Sequence, residues 1–430
     1  MNLRNIVTLK GEHMELFFSL LILLPYIEIS KVRSLLTFFF DDFHFIPSII
    51  IILIIIMVTL LPLLIMRPAK KSSRAVKSYF IRIFCTRLIF DSLVLIRIIF
   101  STQPINILSQ YIWNAVPFYF ALFIVYVIHR LNLDISRFHI NAIFIFTFYL
   151  IVNIIINIVI YQFSFGITEF GESSRLISPG GGPVIFGYTI AIMFALLLFY
   201  KNKITGFKFL VICFIMVIAS FFTGSRGSMW PITLLLTIYL IEDKRKMGIA
   251  VLFLLAVSAL YINPVEFLKS NIPRFFNLLD DGRILTLLNS IEIYSRQPLF
   301  RILFGTGLGV FFPYQKWYLY RTPGINYFLY DGMTMLVQPH NSYIYLLLET
   351  GIIGVILFFY PAYKAIMLFP RLKYTKNIKY AFFTIVLITL LNLFDSVFIT
   401  APGSATLWWL ILLSLTLYLY EYKIFTKENA

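Results

Sequence analysis

Pro339-His340-Asn341-Ser342-Tyr343-Ile344-Tyr345-Leu346-Leu347-Leu348-Glu349-Thr350-Gly351-Ile352-Ile353-Gly354-Val355-Ile356-Leu357-Phe358-Phe359-Tyr360 decides how this chain folds. From Asn341 onward it supplies the roughly 20 predominantly apolar residues that a helix needs to cross a bilayer. Asn341 and Ser342 stand at its start and are residue types that cap helices. His340 sits at the mouth of that helix, and Glu349 lies about 13 Å deeper at helical rise. An ionisable group at such a depth is costly and is usually functional or paired, with an arginine its natural partner. We read Glu349 as structural.

The same kind of run recurs on both sides. Met14–Ser30, Pro47–Met66, Ser78–Phe100, Tyr111–Ile128, Ile140–Tyr161, Pro183–Tyr200, Phe207–Phe222, Trp230–Ile241 and Met247–Ile262 precede it; Tyr380–Thr400 and Ala405–Tyr420 follow. The composition agrees: 60% of the residues are hydrophobic and only 13% are charged. A soluble chain with that surface would aggregate. The reading is an all-α integral membrane protein of about twelve transmembrane helices, with one large outer loop between the ninth and tenth. Residues 1–262 hold spans one to nine, 263–340 the loop with amphipathic helices, and 341–430 the last three spans. In the loop, Ile284, Leu285, Leu287, Leu288, Ile291 and Ile293 approximate a helical stripe that Pro298 ends. The third run carries Arg82, Arg87, Asp91 and Arg97, so it either lines a bundle or lies at the interface. Those four charges either pair with one another or line a path for lipid.

A formal net charge of +16 would suit nucleic acid, but its placement points elsewhere. Arg67, Lys70, Lys71, Arg74 and Lys77 share one side of a twelve-span layout with Arg130 and Arg137, and with Lys201, Lys203 and Lys208. Lys244, Arg245 and Lys246 join them there, as do Arg371, Lys373, Lys376 and Lys379. Basic loops mark the cytoplasmic face, which puts both termini inside; Lys31 and Arg33 are the exception. Cys85 and Cys213 fall in apolar runs and read as packed thiols.

On the outer side, cations stand out. Arg226 lies in Thr223-Gly224-Ser225-Arg226-Gly227-Ser228, a glycine-flanked turn at the start of a span. Backbone N–H groups and a guanidinium there suit a phosphate; equally, the arginine could reach back to the interface. Arg283 follows Asp280-Asp281-Gly282 and opens the loop helix, where pairing with its own aspartates is the plain alternative. Arg175 precedes Gly180-Gly181-Gly182-Pro183, either a close backbone approach to a ligand or a flexible linker. Arg296, Arg301 and Arg321 read as ordinary surface. His340 is the candidate acid–base, since imidazole ordinarily titrates at about 6.5; otherwise it only helps to cap the helix. No metal cluster, phosphate loop of the Walker type or Ser-x-x-Lys pattern is present.

Taken together, these stretches resemble the bacterial O-antigen ligase and O-antigen polymerase superfamily. His340-Asn341…Glu349-Thr350-Gly351-Ile352-Ile353-Gly354 resembles its His-Asn…Glu-x-Gly-x-x-Gly signature. Gly282-Arg283…Pro298…Gly305-Thr306-Gly307-Leu308-Gly309 is similar to its Gly-Arg…Pro…Gly-x-Gly-x-Gly stretch, although Phe304 before the first of these glycines departs from the pattern. Ser225-Arg226-Gly227 and Arg175…Gly182-Pro183 resemble two earlier landmarks, so the likeness covers about residues 175–360.

The resemblance implies a membrane-embedded inverting glycosyltransferase of the GT-C type, needing neither metal nor other cofactor. The implied donor is an undecaprenyl-diphosphate-linked oligosaccharide, used at the periplasmic face of the bacterial inner membrane. Arg226 and Arg283, with Arg175, would bind the diphosphate; His340 would assist the acceptor hydroxyl, supported by Asn341 and Glu349. Polymerase and ligase differ in the acceptor, a second lipid-linked repeat or lipid A–core. The Ile-, Phe- and Tyr-rich composition resembles the polymerases, and a polymerase implies a chain-length regulator as a possible partner. A lipid-linked-glycan flippase would be expected to show paired halves and charges spread through its central spans, which this chain does not; a non-catalytic scaffold would tolerate loss of His340.

Overall fold

A computed structural model describes residues 11–21, 50, 53–58, 60–61, 74–101, 104–159, 183–223, 225, 229, 231–236, 281–309, 328–330, 333–335, 339–372, 375–393, 397–400 and 402–428. These residues are helical almost throughout. The exception is an antiparallel pair of three-residue strands, β1 (Phe328–Tyr330) and β2 (Met333–Met335).

By contact the chain divides into two units, Met1–Phe138 with Asp281–Ala430, and His139–Asp280. In the first, α1 (Gly11–Leu20), α2 (Arg74–Phe100) and α3 (Pro104–Arg130) precede α4 (Ile135–Val159), most of which belongs to the second. The second continues with the hairpin of α5 (Pro183–Phe199) and α6 (Gly206–Thr223). Within that unit the turn is tied to α4 by a 2.8 Å hydrogen bond between His139 Nδ1 and the Tyr200 hydroxyl. The first unit resumes with α7 (Asp281–Ser295), α8 (Leu299–Phe304), the strands and α9 (Ser342–Leu368). It ends with α10 (Lys376–Leu390), the short α11 (Val397–Thr400) and α12 (Pro402–Glu428).

Four helical stretches among the described residues are long and apolar enough to cross a membrane: Ile107–Arg130, Ile135–Ile158, Ser342–Leu368 and Pro402–Lys423. They coincide with four of the expected spans. The runs at 183–200 and 207–222 form shorter apolar helices. The run Met247–Ile262 and most of Pro47–Met66 lie outside the described residues. Tyr380–Thr400, expected as one span, is not one helix: α10 passes into a 3-10 turn at Leu391–Leu393, and α11 begins afresh at Val397. Asn392, Asp395 and Ser396 interrupt the apolar run there.

α12 forms the centre of the first unit. Trp408 and Trp409 have no exposed surface, and their rings meet Phe118 of α3, Phe358 of α9 and Phe398 of α11 at centroid distances of 4.8 to 6.1 Å. Phe90 of α2 closes the cluster against Phe358 at 5.8 Å. Edge-on and offset rings fill such a centre while favouring defined orientations.

α2 contains the third run. Its 27 residues span about 40 Å, and its outward face carries exposed Ile81, Phe84, Leu88, Ile89, Ile96 and Ile99. The charges Arg87 and Asp91 face inward, 3% exposed each. Arg82 is exposed among the outward residues, so α2 buries only part of its charge. Arg87 Nε donates to Asp91 Oδ1 at 2.8 Å and Nη2 to Asn114 Oδ1 at 2.7 Å. The Tyr119 hydroxyl donates to the other carboxylate oxygen. The guanidinium lies 4.8 Å from the ring centroids of both Phe90 and Phe118. Arg87 and Asp91 are therefore a structural pair joining α2 to α3.

Candidate functional site

The glycine stretch after α8 and the Glu-Thr-Gly of α9, 42 residues apart in sequence, are clasped together in the first unit. α9 is not one straight helix. Gly351 has φ 69° and ψ −177°, a conformation that only glycine adopts without strain. The break takes backbone carbonyls out of the helical ladder, and inside a membrane protein such groups need partners. The glycine turn supplies them. Thr306 N–H and its hydroxyl donate to Leu348 O at 3.3 and 3.2 Å, and Gly307 N–H donates to Glu349 O at 2.8 Å.

The backbones touch because neither carries a side chain at the crossing. A Cβ on Gly305 would stand 2.2 Å from Glu349 O, and one on Gly351 would stand 2.4 Å from the carbonyl carbon of Leu303. Gly305, Gly307 and Gly309 all have positive φ. The two glycine motifs read separately in sequence are thus two halves of one contact.

The end of α9 next to His340 is held by other contacts. Asn341 is the N-cap, its Oδ1 accepting from Tyr343 N and Ile344 N at 2.9 and 3.1 Å, as its residue type predicts. Its Nδ2 also donates to Leu393 O at 3.2 Å, which lies in the 3-10 turn where α10 breaks. The Tyr343 hydroxyl donates to Thr389 O at 3.1 Å, and its ring stacks on Phe359 at 4.3 Å. Trp408 Nε1 donates to Ile388 O at 2.8 Å. The unexpected break in α10 thus presents backbone carbonyls to the start of α9. His340, half-buried with Nδ1 shielded from solvent, sits in the bend immediately before this cap.

Glu349 is fully buried. It lines a narrow cleft with Phe90, Leu93, Val94 and Arg97 of α2, with Phe304, Gly307 and Leu308 of the glycine turn, and with Thr350 and Gly354 of α9. Arg97 stands apart from the Arg87–Asp91 pair: its guanidinium lies over the Phe300 ring, 4.6 Å from the centroid. Sequence spacing on α2 could not show this, because Phe300 lies some 200 residues further along the chain.

The remaining candidates are placed in part. Arg283 falls in the first turn of α7, the helix expected there, and Pro298 separates α7 from α8 as expected. The buried face of α7 is not the whole apolar stripe: Ser290 and Ile293 are buried, whereas Leu288 and Ile291 are exposed. Arg226 and Arg175 lie outside the described residues. Beside Arg226, Thr223 Oγ1 accepts from Ser225 N–H, and Ser225 O accepts from Met229 N–H at 3.1 Å. Arg296 pairs with Glu292 on the surface, as an ordinary loop cation would.

The helices and the clasp define a class: an integral membrane protein whose loop-borne glycine turn is locked to a broken span. Residues 211–359 match the family model described as O-antigen ligase. That match supports the O-antigen ligase and polymerase superfamily, and it takes in Arg226, Arg283, the glycine turn, His340 and Glu349. No curated protein matches the chain.

Proposed function

We propose that the protein is a surface-polysaccharide polymerase of the bacterial inner membrane, acting at the periplasmic face. The observation that carries this reading is the clasp between Gly305-Thr306-Gly307 and Glu349-Thr350-Gly351, on the helix that begins just after a half-buried His340 and within the family match. A clasp of two backbones fixes the loop against the span, and such fixing is what positions reacting groups.

In the proposed reaction a hydroxyl of one lipid-linked repeat attacks the anomeric carbon of a second glycan, carried on undecaprenyl diphosphate. The new C–O bond forms as the bond to the diphosphate breaks, with inversion. His340 accepts the hydroxyl proton. Arg226 and Arg283, with Arg175, stabilise the charge that collects on the departing diphosphate without a metal. Asn341 holds the histidine's bend, and Glu349 supports the site from the buried side. The large outer loop, 263–340, carries the donor side of the site, and a chain-length regulator is the proposed protein partner.

The test is a gel of surface polysaccharide from a strain lacking the gene, complemented with wild type or His340→Ala at matched membrane abundance. The polymerase reading expects lipid A–core bearing a single repeat in the deletion, a ladder restored by wild type and no ladder with His340→Ala. Bare core with long lipid-linked polymer would identify a ligase instead, the reaction that the matching family description names. A ladder restored by His340→Ala would overturn the catalytic role.

A further inference from the structure

Tyr343 and Phe359 stand sixteen residues apart in α9. An unbroken helix would separate them by about 24 Å along its axis, yet their rings stack with centroids 4.3 Å apart. Two aromatic side chains cannot close that distance, so α9 folds back on itself. The fold lies at Gly351, whose torsions leave the helical region and which stands eight residues from each of the two. Thr350 and Gly354 show how sharply the chain turns, because a Cβ on Gly354 would overlap the Thr350 side chain. α9 is therefore two arms, 342–350 and 352–368, lying side by side.

The first arm is short, about 13 Å, and it lies within the protein. Ser342, Tyr345, Leu346, Leu348 and Glu349 are each at most 2% exposed. Broken backbone at membrane depth is tolerated where protein surrounds it. Tyr343 pins the start of this arm in two ways. Its ring stacks on Phe359 of the second arm, and its hydroxyl donates to Thr389 O in the last turn of α10 at 3.1 Å. In that same turn Ile388 O accepts from Trp408 Nε1 of α12 at 2.8 Å, and the Trp408 ring lies 6.1 Å from Phe359. Tyr343 thus closes a circuit of contacts through both arms of α9, α10 and α12. His340, three residues before it, stays within about 11 Å of it. The histidine is thereby kept near the middle of the second arm and not at the far end of one long span.

We propose that residues 342–350 form a re-entrant half-helix and that Tyr343 is the positioning residue that sets His340 through it. In this role Tyr343 touches no substrate. It fixes where the imidazole stands, and a displacement of about 1 Å in such a group costs on the order of a hundredfold in rate. The purpose of the device rests on the transfer reaction proposed above; the fold-back does not.

The fold-back is tested on the full-length protein in detergent, with Cys85 and Cys213 replaced by alanine. Tyr343→Cys with Phe359→Cys is treated with a bifunctional thiol reagent too short to bridge about 24 Å. Peptide mass spectrometry should find these two positions cross-linked. Ile140→Cys with Ile156→Cys, equally far apart on the unbroken α4, should not be. A second measurement uses the native contact: the losses of stability in Tyr343→Ala and Phe359→Ala should fail to add in the double variant, whereas distant sites add. Additive losses together with no cross-link overturn the fold-back.

The positioning role is read from glycan transfer between lipid-linked repeats by the purified protein. Tyr343→Phe keeps the ring and should lower kcat about fivefold. Tyr343→Ala should lower it about a hundredfold, with KM nearly unchanged in both. In His340→Ala, which already lacks the base, adding Tyr343→Ala should lower transfer no further; a merely structural role predicts a second loss. Independent losses in that double variant, or full activity of Tyr343→Ala, overturn the role. Full activity of His340→Ala would instead overturn the catalytic reading and the purpose given to Tyr343, while the cross-link would still report the fold-back.

Discussion

Gly305 and Gly351 carry more of the architecture than any polar residue near them. Each has positive φ, and each would place a Cβ inside van der Waals distance of the other strand of the clasp. The torsions, φ 70° and ψ −172° at Gly305, φ 69° and ψ −177° at Gly351, lie in the region reserved for glycine. Backbone strain and the clash with Glu349 O or Leu303 C add, because the listening atoms are main chain and cannot swing aside. Gly305→Ala and Gly351→Ala should each cost about 2–4 kcal/mol, read as a lower unfolding temperature of the purified protein in detergent. Gly206→Ala is the control, since nothing stands within 4 Å of a Cβ there, and it should leave the unfolding temperature nearly unchanged. Equal shifts for all three would mean that the clasp does not hold the first unit together. The importance of these glycines was legible as a motif, but their pairing was not. A glycine inside an apolar run predicts no particular partner, and the partner is here a second glycine stretch in a different part of the chain.

At the scale of elements, legibility followed the physics of each helix. α9 was readable at its start, where Asn341 offers the cap that an apolar run requires. The break that ends α10 was marked only by Asn392, Asp395 and Ser396, which a run otherwise apolar from Tyr380 to Thr400 can also carry within a single helix. α2 was readable only as a helix with too many charges. Arg87 and Asp91 stand four residues apart, which brings side chains together on a helix, yet the spacing does not reveal that Asn114 and Tyr119 of α3 complete the network. That network makes a prediction at this scale. Removing one member strands a buried charge, which typically costs about 3–5 kcal/mol. Arg87→Met should therefore lower detergent stability and yield sharply. The double change Arg87→Met with Asp91→Leu removes both charges and should recover most of the loss, since an apolar replacement of a buried pair is often neutral. A double variant no more stable than Arg87→Met would show that the pair does more than join α2 to α3.

For the whole molecule, the distribution of charge makes a claim that the helices themselves do not test. Basic clusters at Arg67–Lys77, Arg130–Arg137, Lys201–Lys208, Lys244–Lys246 and Arg371–Lys379 predict, by the positive-inside rule, that they share a cytoplasmic face. The proposed reaction needs α7 and α8, with the clasp, on the opposite face. Two exposed positions test this: Asn202 in the turn between α5 and α6, and Ser295 at the end of α7. With Cys85 and Cys213 replaced by alanine, Ser295→Cys in intact spheroplasts should react with a membrane-impermeant maleimide, whereas Asn202→Cys should react only after the membrane is opened. Both reagent and protein are the same in the two arms, so a difference reports sidedness alone. Labelling of Asn202→Cys in sealed spheroplasts, with Ser295→Cys protected, would invert the molecule. It would place His340 and the clasp on the cytoplasmic side, away from the lipid-linked donor that the transfer reaction requires.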